Sequence, residues 1–287
     1  MSEHTLFELE RDYHLGNYQT CINKANSMPD SSETTFYLCL SYYHLKKYDI
    51  LEHELAKSSE PCTEIIKLLV AYTRNVEDRK DIIDKLDSML ADKNFTNIDH
   101  LSRLVISSIY AREKMYPKAL RALQKLESLP VLLAQISIYI LINRIDLAER
   151  QLKLMQSEND YSTLTQLAVA QIRLASNKPR GALDIAKELE DKYKATPLLK
   201  NIQTAAAIGL GNNDEAKQHC ESSLDLDNDN LEALINMIYI LSKLRGSTDI
   251  KERHFGRLKA LYPDDDFVKE FDRLEEEFKR MQVELSA

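Results

Sequence analysis

The sequence predicts an all-α fold, a solenoid of about eight helical hairpins followed by a C-terminal capping helix. Three observations predict it. The chain repeats itself: Leu164 to Leu174, a turn at Asn177-Lys178-Pro179 and the stripe Ala182, Ala186, Leu189 are followed without a gap by Leu198 to Leu210, a turn at Gly211-Asn212-Asn213 and the stripe Ala216, Cys220, Leu224. The small residues that open the two stripes, Ala182 and Ala216, stand 34 residues apart, which allows one helix–turn–helix per period. The 287 residues also hold only 6 Gly and 7 Pro, too few breakers for a many-turned β fold. A hairpin this short cannot bury its own apolar face, so each must stack on the next, and the small residue belongs where two helices cross closely.

Taken in order, the first hairpin opens with Leu6, Leu9 and Tyr13, turns at His14 to Tyr18, and continues with Cys21, Ile22 and Ala25. Gly16 suits the left-handed conformation that ends a helix. Met28-Pro29-Asp30 closes the unit, and Ser31 or Ser32 can cap the next helix, which carries Phe36, Tyr37, Leu40 and Tyr43. Its turn, Lys46-Lys47-Tyr48, sets Tyr48 three residues before Leu51, as Tyr18 stands three before Cys21. The third unit is weaker: Ile65 to Tyr72, a link without a tyrosine turn, Asp78 to Leu90, then a polar connector from Ala91 to Asn97. The fourth runs from Leu101 to Ala111, turns at Lys114-Met115-Tyr116 and continues with Ala119, Leu120 and Leu123. The fifth, Val131 to Ile142 with a turn at Asn143-Arg144, is shortened, because Ala148 follows Ala119 by 29 residues. After the sixth and seventh, the cap cluster Asp227 to Asn230 opens an eighth, Leu231 to Leu244, with a turn at Gly246-Ser247-Thr248, continuing through Ile250, Phe255, Leu258 and Leu261. Pro263 stops it. A last helix then carries Phe267, Phe271, Leu274, Phe278 and Met281 at helical spacing, with Glu275, Glu276 and Glu277 on its polar face. The expected repeats are 5–29, 31–57, 62–91, 98–127, 129–156, 160–193, 196–227 and 230–262, with the capping helix at 264–285, all in one solenoid over 1–287.

The totals narrow the function. A formal net charge of −8 gives no basic face for nucleic acid or anionic lipid. Cys21, Cys39, Cys62 and Cys220 show no Cys-x-x-Cys spacing and read as reduced, buried small hydrophobes in a cytosolic protein. Met1 to Leu9 has neither a basic start nor an apolar run, so it is no secretory signal. The longest apolar stretch, Val131 to Ile142, is interrupted by Gln135 and Ser137 and covers 12 residues, too few to cross a bilayer. The chain reads as soluble, meeting a membrane only through partners.

No motif supports catalysis or a cofactor. Gly209-Leu210-Gly211 lacks the preceding strand and the third glycine of a nucleotide loop and reads as a hairpin turn. No histidine pairs with another at four-residue spacing, and no His–Cys set has metal spacing. Asp264-Asp265-Asp266 reads as a cap for the last helix rather than a cation site. Asn94-Phe95-Thr96 fits a glycosylation sequon that would be inert in the cytosol, and no Gly-x-Ser-x-Gly elbow occurs.

One pattern points to binding. In Val131 to Ile142, the residues Leu132, Leu133, Ile136, Ile138, Ile140 and Ile142 cannot share one helix face, and Leu164 to Leu174 is similar. A helix apolar on all sides is covered on all sides. Either neighbouring hairpins curl tightly enough to cover both faces, or a partner fills an apolar inner wall. The candidate partner-binding residues of such a concave face are Leu101, Leu104, Leu133, Ile140, Leu164, Leu167, Leu174, Leu198 and Ile208.

The hairpin pattern is that of tetratricopeptide-like repeats, and the residues resemble one family within that class. The blocks are Tyr13-x-x-Gly16-x-Tyr18-Gln19-x-Cys21-Ile22-Asn23-x-Ala25, Ala119 to Leu123, Asp146-Leu147-Ala148 with Leu152-Lys153-x-Met155-Gln156, Thr163 to Ala168, Glu232 to Asn236, and Phe267 to Glu270. Their order and coverage are similar to the epsilon-subunit family of coatomer, the COPI vesicle coat; Cys62 to Asn97 is least similar. The resemblance implies a strongly curled, non-enzymatic array without cofactors, clasping the C-terminal domain of the coatomer alpha subunit and meeting other coatomer subunits indirectly. It implies retrograde Golgi-to-ER and intra-Golgi transport, and a cytoplasmic protein peripheral on Golgi and COPI vesicle membranes. The alternative is a tetratricopeptide co-chaperone or scaffold adaptor that grips another protein's C-terminal peptide. Such grooves present Lys, Arg and Asn to a carboxylate, whereas the candidate positions here are Leu and Ile.

Overall fold

A computed structural model describes residues 2–57, 61–92, 98–244 and 248–286. The turn expected at Gly246-Ser247, the sequon Asn94-Phe95-Thr96 and most of the connector before Ile98 lie outside the described residues. Among these there are 17 α-helices and no strand, in two compact units, Met1–Ser176 and Asn177–Ala287.

The first unit holds α1 (Ser2–His14), α2 (Tyr18–Ala25), α3 (Ser32–His44), α4 (Tyr48–Lys57), α5 (Pro61–Arg74), α6 (Arg79–Ala91), α7 (His100–Arg112), α8 (Tyr116–Ala122), α9 (Leu129–Leu141), α10 (Ile145–Asn159) and α11 (Thr163–Ala175). The odd-numbered helices pack in a row from α1 to α11, the even ones back them, and α11 also packs against α1. The row of first helices thus returns on itself within this unit. One apolar core runs through it from Leu9 to Ile138, and a second joins α9, α10 and α11 through Ile136, Ala148, Met155, Leu164 and Ala168.

The hairpin turns share one construction. After α1 the Gly16 N–H donates to Tyr13 O at 2.9 Å and the Asn17 N–H to Asp12 O at 2.8 Å, with Gly16 at φ 84°. This is the Schellman closure, which satisfies carbonyls that the helix leaves open. It recurs at Lys46, Lys114, Asn143 and Gly211, each with positive φ. The tyrosines that follow three of these turns, Tyr18, Tyr48 and Tyr116, open α2, α4 and α8, and the positions three residues on, Cys21, Leu51 and Ala119, are fully buried. The third hairpin has a longer link between Arg74 and Arg79 instead. Capping side chains start several helices: Ser31 accepts from Thr34 N, Asp99 from Ser102 N, Thr196 from Leu199 N and Asn230 from Ala233 N.

The second unit holds α12 (Pro179–Tyr193), α13 (Pro197–Gly209), α14 (Asn213–Leu226), α15 (Leu231–Lys243), α16 (Thr248–Leu261) and α17 (Asp266–Ser286). Ala182, Ala186, Ala206, Ala207 and Ala216 are fully buried where α12, α13 and α14 pack together. Small residues let these helices approach, and at Gly209 an added Cβ would lie 3.0 Å from Pro179 Cβ. Gly211 turns the chain at φ 78°, so Gly209-Leu210-Gly211 is a hairpin turn. The expected terminal helix is α17, with Asp265 accepting from Phe267 N at its start. Phe267 and Val268 pack on the core of α14 to α16, whereas residues 278–285 are exposed.

Candidate functional site

Each odd helix of the first unit has odd neighbours on two sides and even helices behind it, which leaves one face uncovered. Partly exposed residues at three- and four-residue spacing mark that face: Leu38 and Tyr42 on α3, Leu68 and Ala71 on α5, Leu104 and Ala111 on α7. Polar residues share the stripes, with Lys67 on α5, Ser108 on α7, and Gln166 and Arg173 on α11. The surface is therefore mixed: apolar patches that still touch the core, alternating with hydrogen-bonding and charged groups.

The nine candidate residues fall into two groups. Leu101, Leu133, Leu164 and Leu167 are buried in the protein's own packing, Leu133 at 9% exposure and the others at 3% or less. They hold neighbouring helices to one another and offer no surface to a partner. The reason lies in the stacking: each odd helix is covered on both flanks as well as behind, so three of its sides are apolar without help from outside. Leu104, Ile140 and Leu174 in the first unit, and Leu198 and Ile208 in the second, keep part of their surface exposed. The sequence reading missed Leu38, Tyr42 and Leu68. Their signal was present as apolar positions one step off the core stripe of α3 and α5.

The ends of α1, α3, α5 and α7 are tied by a polar belt. Tyr13 Oη and His44 Nε2 are 3.1 Å apart, and the His44 ring stacks on Tyr18 with centroids 4.6 Å apart. Arg112 Nη1 donates to Tyr43 Oη at 2.8 Å, Tyr43 Oη lies 2.9 Å from Thr73 Oγ1, and Tyr72 Oη donates to Glu113 Oε1 at 2.6 Å. Burial pushes His14 down to about 4, helped by His44; His44 keeps an exposed edge, and crowding at the belt together with the Arg112 charge lowers it too. Both imidazoles are neutral at pH 7. On α1, burial raises the Glu10 carboxyl to about 7, and the charge of Glu158 on α10 adds to the rise.

These contacts tie the helix ends together. Among the described residues no three His, Cys, Asp or Glu side chains gather as a metal site. The four cysteines are buried and none forms a disulfide among the described residues, and burial raises Cys21 to about 11 and Cys39 and Cys220 to about 12. Thiols held that far up are not nucleophiles at neutral pH. Among the described residues no helix is long and apolar enough to cross a membrane.

Comparison with known proteins joins these features to one family. The family model described as "Coatomer epsilon subunit" matches residues 2–286. Coatomer subunit epsilon-2 of Arabidopsis thaliana is 30% identical over 281 residues, covering 96% of this chain and 94% of that protein. Coatomer subunit epsilon of Dictyostelium discoideum is 26% identical and covers 97% of this chain and 98% of its own length. Among solved structures, a tetratricopeptide repeat protein from Parabacteroides merdae superposes with a TM-score of 0.60 at 14% identity, over 88% of this chain and 96% of that one. At that identity the likeness concerns the fold.

Proposed function

Because this chain belongs to the coatomer epsilon subunit family, a family of COPI coat components, we propose that it is a non-enzymatic structural subunit that clasps the C-terminal domain of the coatomer alpha subunit. The uncovered face of the odd helices in the first unit is the proposed seat, contacting the partner through Leu38, Tyr42, Leu68, Leu104 and Ser108. Ile140 and Leu174 extend it, and Leu198 and Ile208 are further candidates in the second unit. The observation that carries this reading is the family match over residues 2–286. The mixed character of the face supports it further, because a non-obligate interface taken as a whole is about as apolar as the rest of a protein surface. In this reading the chain acts in retrograde Golgi-to-ER and intra-Golgi vesicle transport. It works at the cytosolic face of Golgi and COPI vesicle membranes, which it reaches through the coat.

Co-expression tests the pairing. The chain made together with the C-terminal domain of the alpha subunit should co-elute with it at equal stoichiometry and melt several degrees higher than alone, since a partner that binds only the folded state adds its binding free energy to stability. Independent elution and equal melting temperatures would overturn the proposal.

A further inference from the structure

The far end of α17 carries a surface that nothing in the inner face of the first unit explains. Phe267, Phe271, Leu274, Phe278, Met281 and Leu285 follow one another at intervals of four and three residues, the spacing of a coiled-coil seam. The start of the seam is occupied: Phe267 and Val268 pack on the core of the second unit, and the Phe271 ring lies 4.1 Å from that of Phe255. Beyond it the seam is open, with Leu274 at 51%, Phe278 at 59%, Met281 at 52% and Leu285 at 89% exposure. A continuous row of large apolar side chains left in water is the mark of an interface.

The charges beside the seam say what covers it. Glu270, Glu277 and Glu284 flank it on one side and Glu275 on the other, while all four cations of the helix, Lys269, Arg273, Lys279 and Arg280, lie off the seam. Glu270 and Glu277 pair with Arg273, and Glu275 with Lys279, in fully exposed contacts of a kind that exchange readily for a better partner. A second copy of α17 would set glutamate against glutamate: Glu270 faces Glu275 of the copy in a parallel pair, and the Glu270–Glu277–Glu284 edges face each other in an antiparallel one. An anionic membrane meets the same repulsion. We propose that this seam is a docking surface for a partner α-helix with apolar residues at the same heptad spacing and Lys or Arg in the flanking positions.

The test uses the full chain and a short synthetic heptad peptide with Leu at the seam and Lys beside it, together with its twin carrying Glu in place of Lys. Fluorescence anisotropy should show the Lys peptide binding at least about ten-fold tighter than the Glu twin, with the affinity falling as salt rises. Leu274→Asp with Phe278→Asp, both at exposed positions, should weaken the Lys peptide about ten-fold or more, and Glu275→Lys with Glu277→Lys should reverse the preference. Three results would overturn the proposal. One is a Lys-peptide affinity unchanged in the Asp variant, which would mean attraction to the chain's net charge alone. Another is a wild-type dimer that the Asp variant converts to monomer, which would assign the seam to a second copy. The third is binding to phosphatidylserine vesicles through the seam with no preference between the peptides.

Discussion

Six hairpin turns hold a residue in the left-handed region, at Gly16, Lys46, Lys114, Asn143, Asn177 and Gly211, but only two of the six are glycine. A side chain with a Cβ sits there at a cost of roughly 1–2 kcal/mol, partly offset because glycine would lose more chain entropy on folding. Lys114→Gly should therefore stabilise the protein by on the order of 0.5–1 kcal/mol in a urea titration. A loss of stability would mean that the Lys114 side chain holds the turn through its own contacts. Glu10 makes a second prediction at this scale. Its folded pKa of about 7 stands above the ordinary value of 4.5, so the protonated form is the one that folding favours. That contribution is fully present below about 4.5 and lost as pH rises through 7. Glu10→Gln should raise the melting temperature by roughly 2–5 °C at pH 8, and the gain should vanish by pH 4.5. A gain independent of pH would show that the carboxyl is not the cause. His14 acts the opposite way: held down near 4 by burial, it withdraws stability as pH falls from 6.5, because the unfolded chain takes up its proton first.

Among the helices, α9 separates what the sequence says from what packing decides. Its composition alone predicts coverage on all sides, and α7, α8, α10 and α11 supply that coverage on the flanks and back. Leu133 is thus a core residue, and Leu133→Asp should cost on the order of 3–5 kcal/mol and unfold the first unit rather than selectively remove a partner. Circular dichroism with thermal melting checks this; a variant that melts like the wild type would place Leu133 on a surface after all. The turns were readable because their chemistry is local: glycine, asparagine and the tyrosine that opens the following helix recur at fixed offsets. The α5–α6 link lacks those cues, and there the sequence shows only that two helices exist. The left-handed lysines were not readable, since nothing in a Lys-Lys or Lys-Met pair asks for positive φ. On α17 the amphipathic pattern was plain, but which turns of it are covered depends on where α15 and α16 end. No periodicity encodes that.

For the molecule as a whole, fold class and family were legible from the repeat and from blocks spread between Tyr13 and Glu270, and the family match spans both units. The proposed binding face was legible only in part. Periodicity ranks residues by how apolar their surroundings must be, so it selects the most deeply buried positions first: Leu101, Leu164 and Leu167 lie in the core. A docking surface is made of the next rank, residues such as Leu38, Leu68 and Leu104 that pack with one edge and show the other. Ser108 lies in the middle of that face, exposed and free of core packing. The most direct test is to titrate the C-terminal domain of the alpha subunit against the wild type and against Ser108→Arg. The account predicts about a ten-fold or greater rise in Kd with an unchanged melting curve. An unchanged Kd would contradict it.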